Sequence, residues 1–287
     1  MTPSTHNVPV AQCVVAAWGF FSRNLVQVYQ FGLPYVLASA IGMACVQFST
    51  AESGLAGLGS LLIVGSWFLY FAMDAALFRL ALGQPKSGPF GLQLGADEAR
   101  LFATSLLVAM VAAIAAAVAM VIAMLAINSI LLIGLDPELV QQNPEVVFEQ
   151  SGSKFWILLT IAAIVIGAIL LYLQARFAPA FAAAIGEKSI HIFEAAAWTK
   201  GQGWRIALAF VVSIAPLYLI LSPSLMIAAK QMMGLAMAII ENPSTPTRID
   251  PVDVAFHWRL LPILMAPALN AVRAGLFATV YRGLRPA

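Results

Sequence analysis

From Leu101 to Leu135 the chain reads LFATSLLVAMVAAIAAAVAMVIAMLAINSILLIGL, 35 residues between Arg100 and Asp136 without a charged side chain. A run this apolar exceeds the ~18 residues that mark a membrane span. As one helix it is ~52 Å long, more than a perpendicular crossing needs, yet it is too short for two spans and a turn. It reads as one tilted helix that projects beyond the bilayer.

Working outward, five more apolar runs are long enough to cross: 25–47, 54–80, 155–178, 206–230 and 259–282. The whole chain agrees, with 61% apolar and 10% charged residues in 287 against roughly 45–50% and 25% in a soluble domain. A mean hydropathy of +0.90 excludes a soluble enzyme, a nucleic-acid binder and a disordered chain. The first basic residue is Arg23, so there is no positive n-region of a cleavable signal peptide, and the first apolar segment is expected to stay in the mature protein. Cys13 and Cys45 suit neither a metal site nor a disulfide framework and read as small packing residues.

Six spans put both termini on one side. That side carries ten Lys and Arg, from Arg23 to Arg285, and the other carries Lys154, Lys230, Arg248 and Arg259, with Arg273 inside the sixth span. The positive-inside rule then makes both termini cytoplasmic. Trp156 and Trp258 open spans at the outer face, while Trp18, Trp198, Trp204 and Tyr281 mark the inner one. Two inner-face segments read as amphipathic interfacial helices. Residues 9–22 bring Val10, Val14, Trp18 and Phe21 together, and residues 187–200 bring Ile190, Phe193 and Ala197 together. The predicted fold is all-α: a polytopic membrane helix bundle with six transmembrane helices plus two interfacial helices, a single integral membrane domain over residues 1–287.

Arg23 precedes Pro34, and Arg205 precedes Pro216, by the same eleven residues. This spacing is either a parallel repeat of interfacial helix, kinked span and returning span, or a coincidence among common interface residues. Ala112, Ala115, Ala116, Ala119 and Ala123 in span three, with Ala163 and Gly167 in span four, form small-xxx-small pairs. Such pairs allow close helix approach, which places span three at the bundle centre ahead of a dimer face. Pro34, Pro216, Pro223 and Pro262 are candidate kinks.

Asp74 in span two and Arg273 in span six are the costly residues, since a lone charge at mid-bilayer costs ~2.5–3.5 kcal/mol. Their distances from the inner helix ends, ~9 Å and ~13 Å, differ little enough for a salt bridge. Asn270, three residues before Arg273 on the same face, can complete a polar cluster. A buried tether or snorkelling stands ahead of a substrate or proton site here. Gln27, Gln30 and Gln174 read as interfacial or interhelical hydrogen bonders. The sequence holds no His-Glu-x-x-His, Walker loop, dinucleotide fingerprint or Gly-x-Ser-x-Gly elbow, so no metal and no cofactor is expected.

From Gln174 the chain reads Gln174-Ala175-Arg176-Phe177-Ala178-Pro179, then Gly186-Glu187, then Ala197-Trp198-Thr199-Lys200-Gly201 and Trp204-Arg205, and it closes on Tyr281-Arg282-Gly283-Leu284. This resembles the six-helix membrane domain found with bacterial glycerophosphoryl diester phosphodiesterases, and related uncharacterised inner-membrane families. The match covers about residues 174–205 and the last few. Carried over, it marks Arg176, Pro179, Glu187, Trp198, Lys200, Gly201, Trp204 and Arg205 as pattern residues at the inner interface. The resemblance implies a fold and a bacterial inner-membrane setting. In those phosphodiesterases catalysis belongs to a separate soluble domain, so the chemistry is not carried over.

The leading expectation is therefore a non-enzymatic inner-membrane protein that binds or organises lipid or membrane-protein partners, with no nucleic acid. The alternative is a transporter or lipid translocator using Asp74, Asn270 and Arg273, and an intramembrane enzyme stands third. A hydrated cavity at Asp74 or Arg273 favours transport, dry packing of the pair a scaffold.

Overall fold

The structure is a computed structural model that describes residues 9–49, 54–85, 88–133, 153–241 and 256–284. Lys86, Arg248 and Arg285, counted by side above, lie outside the described residues. Eight α-helices and no strand are present among them: α1 (Val10–Arg23), α2 (Leu25–Gln47), α3 (Leu55–Leu82), α4 (Ala96–Leu132), α5 (Ser153–Gly186), α6 (Ile192–Trp198), α7 (Gly203–Glu241) and α8 (Phe256–Leu284). Six of these are long and apolar enough to cross a membrane, namely α2, α3, α4, α5, α7 and α8. The chain is a multi-pass helical membrane protein.

Without a hydrophobic drive between helices in lipid, close packing decides which ones meet. α2 and α3 form the tightest pair, because Gly42 and Gly59 let their backbones touch. A Cβ on Gly59 would stand 2.7 Å from the Gly42 carbonyl oxygen, and one on Gly42 would stand 2.9 Å from that of Gly59. α8 lies against this pair through Gly32, where an added Cβ would collide with the Pro267 ring. α8 also touches α1, α3, α5 and α7 and is the central element. Phe78, Phe181, Phe210 and Phe277, from four helices, cluster at the middle of the core. α1 buries Cys13 and Ala17 and packs on α7 and α8. α6 packs on α5 instead, so the two halves of the candidate repeat make different contacts.

Three expectations are corrected. Span three is peripheral, not central: 61% of the membrane-length window is buried in α8, 6% in α4 and none in α5. Ala112, Ala115, Ala116, Ala119 and Ala123 of α4 are only half-buried and Gly167 has nothing within 4 Å of its Cβ direction. Small residues permit close approach but do not compel it, and the Ile, Leu, Val and Met between them stay exposed on α4. The fourth span does not stop at 178. Residues 177–185 are all buried, five of them are alanine, and this strong helix former carries α5 through Pro179 to Gly186 in a dry environment. Finally, the helix expected over 187–200 is only Ile192–Trp198, since residues 187–191 turn through local bonds of Ser189 and His191. It buries Ile192 and Ala195 and leaves Ile190 and Phe193 exposed.

α3 ends on Gly83, whose φ of 74° is the left-handed conformation glycine supplies. α4 opens with Glu98 Oε2 accepting the Gly95 N–H at 2.9 Å. Between these ends a charge network pins α4 to α3. Arg79 donates to Glu98, both nearly inaccessible, Arg79 Nε lies 3.5 Å from Asp97, and Arg100 donates to Asp97 at 2.6 Å. In the sequence these charges look like ordinary inner-face flanks of two spans, and nothing in their spacing pairs them across the loop.

Candidate functional site

The charge pair that the sequence singles out is formed. Arg273 Nη2 donates to Asp74 Oδ2 at 2.6 Å, joining α8 to α3. The carboxylate is 1% exposed and the arginine side chain 18%, so the pair is open from the arginine side. Asn270, one turn before Arg273, accepts a hydrogen bond from the Tyr70 hydroxyl at 3.1 Å. Tyr70 is itself one turn before Asp74, so two i,i+3 or i,i+4 faces meet each other. That spacing is the signal by which Tyr70 could be identified from the sequence. The Arg273 guanidinium also lies 5.9 Å from the centre of the Phe181 ring, a cation–π distance. Phe181 escapes sequence reading because the expected fourth span ends at 178, three residues before it.

The pair does not fill its bonding capacity. Asp74 Oδ1 and Arg273 Nε are buried without a hydrogen-bond partner, which is costly away from water. Beside them lies a cleft of about 390 Å³ between α3, α4, α5 and α8. Tyr70, Asp74, Ser105, Gln174 and Arg273 give it polar walls, and Phe71 and Phe181 give it aromatic ones. Gln174, read from the sequence as an interhelical hydrogen bonder, lines this cleft. The cleft opens beside Ala109, an exposed residue of α4. It exists because α4 leans on α5 and meets α3 mainly near its own start. A separate apolar groove of about 620 Å³ runs along α3 and α4, with Trp67, Phe68 and Phe102 in its walls. Phe71 lines both spaces, and its ring meets Phe102 edge to face at 5.0 Å.

The pattern residues carried by the resemblance gather elsewhere, at a joint of α5, α6, α7 and α8. The Thr199 hydroxyl lies 3.0 Å from the carbonyl of Arg176 and 3.0 Å from that of Ala195. Glu187 accepts from the Tyr281 hydroxyl at 2.6 Å and lies 3.1 Å from His191 Nε2. The Trp198 ring packs on Tyr281 and His191. Gly201 adopts φ 80°, which favours glycine. Trp204 packs edge to face on Tyr172, Pro179 is buried within α5, and Lys200 and Arg205 are exposed. None of these residues lines the cleft. Their arrangement joins neighbouring ends of four helices.

Among the described residues no group of three or more His, Cys, Asp or Glu is placed to hold a metal ion. The chain has no significant match to any protein-family model, curated protein or solved structure.

Proposed function

We propose that this chain is a bacterial inner-membrane protein, with both termini in the cytoplasm, that binds a lipid in the cleft beside Asp74 and Arg273 and does no covalent chemistry on it. One observation carries the reading: an intramembrane ion pair, incompletely hydrogen-bonded, lines an open cleft. A tether alone needs no opening beside it. Intramembrane charges that face a cavity rather than packed side chains mark binding paths. The peripheral α4–α5 hairpin supports it too, because its exposed flanks offer a lipid lateral entry to the cleft. The ten-to-four excess of basic residues on the terminal side and the residues shared with the phosphodiesterase-associated membrane domains support the orientation and setting. Translocation of that lipid is the second reading, favoured by the charged pair itself, whose two partners stand on different spans.

The test uses the full chain without Cys13 and Cys45, with Ser105→Cys or Ala112→Cys in the cleft wall and Ala183→Cys, fully buried, as control. Both cleft positions should label with a small water-soluble thiol reagent, and added phospholipid should slow that labelling, while position 183 stays silent. Silence at both cleft positions in folded protein, or labelling indifferent to lipid, would overturn the reading.

A further inference from the structure

The lining of the cleft contains one acidic and one basic side chain, Asp74 and Arg273, and no other charge. It is therefore electrically balanced before any ligand arrives. A headgroup of net charge would enter without a counter-charge, and unbalanced charge at this depth is unfavourable. A headgroup carrying both signs preserves the balance. Asp74 Oδ1 and Arg273 Nε have no hydrogen-bond partner but are closed to solvent, so a headgroup reaches the pair through the arginine side chain, 18% exposed against 1% for the carboxylate. The aromatic walls add a second, independent preference. Tyr70, Phe71 and Phe181 line the same cleft as the carboxylate, and aromatic ring faces hold ammonium groups away from water. Past Phe71 the apolar groove offers a place for an acyl chain.

Resting on the lipid-binding reading above, we propose that the cleft selects a phospholipid with a zwitterionic headgroup, its phosphate on Arg273, its ammonium against the aromatic wall that lines the same cleft as Asp74, and one chain passing Phe71 into the groove. An anionic phospholipid with the same chains is the disfavoured competitor.

The experiment uses the full chain carrying Ala112→Cys in the background lacking Cys13 and Cys45. The labelling rate is followed while phosphatidylethanolamine or phosphatidylglycerol of identical chains is added to the solubilised protein. Half-protection should come at about tenfold lower mole fraction of the zwitterionic lipid. Asp74→Asn, which leaves Arg273 unbalanced, should reverse the order. Asp74→Asn combined with Arg273→Gln, which removes both charges and nearly keeps the shape, should bring the two lipids together, and it tests the same charge dependence even where the single variant does not fold. Equal protection by both lipids, or stronger protection by the anionic one in the parent, would overturn the selectivity and leave lipid binding standing. An unchanged order in the double variant would do the same. Protection by neither would overturn both.

Discussion

Where α2 crosses α3, two backbones meet through Gly42 and Gly59, and no side chain larger than hydrogen fits at either position. Where α4 runs beside α5, half-buried alanines of α4 sit among exposed Ile, Val and Met side chains. Both pairs are rich in small residues, so small size alone does not predict which crossing is tight. The difference lies in what surrounds them. The first pair is closed in by the central α8, whereas the second is pinned to the core chiefly where α4 begins and α5 ends. A fixed core and a loosely held hairpin leave a cleft between them, and the ion pair sits on its fixed wall.

The strongest way to break this contrast is at the pin. Arg79→Met removes the guanidinium from a Glu98 that is 5% exposed and should cost about 3–5 kcal/mol, seen as a fall in thermal midpoint in mild detergent. A midpoint unchanged from the parent would show that the hairpin is held elsewhere. Gly59→Leu should cost about 1–3 kcal/mol by overpacking against the Gly42 carbonyl, while Gly167→Leu on the open hairpin should stay within about 0.5 kcal/mol. The same melts measure both, and equal losses would erase the distinction between the regions. Thr199→Val, which removes a hydroxyl capping the α5–α6 joint, should cost about 1 kcal/mol. Smaller still, a double-mutant cycle of Tyr70→Phe with Asn270→Ala should give a coupling of about 0.6 kcal/mol, and zero coupling would mean that their bond adds nothing to the fixed wall. Last, burial pushes the Cys13 thiol up from its ordinary pKa. Less thiolate is then present at a given pH, so its labelling should rise only at more alkaline pH than that of an exposed thiol introduced at Val15.

Much of the fold is legible in the sequence because bilayer thickness imposes a length on each apolar run. Leu25–Gln47 is bounded at both ends as expected, and α1 shifts by one residue. The ends of α5 and α6 are not legible. Pro179 reads as a stop in water, but a helix buried on all sides tolerates it. The position of α4 is not legible either, because an alanine stripe specifies a contact without naming the partner. In the site, Asp74, Asn270 and Arg273 stand out through the cost of polar groups in lipid. Ser105 and Phe181 do not, since a serine bonded to its own helix and a phenylalanine in an apolar run look ordinary until neighbouring helices are placed.

The ion pair also imposes an order on biogenesis. Asp74 and Arg273 are separated by 199 positions, so at about 5–20 residues per second the ribosome delivers the arginine about 10–40 s after the carboxylate. Throughout that interval the nascent α3 must reside in the membrane with its acidic residue unmatched. The tight α2–α3 hairpin can hold it there as a preassembled unit. The charge on α3 is then matched only when α8 arrives, and a protein truncated before α8 would present quality-control proteases with an uncompensated charge.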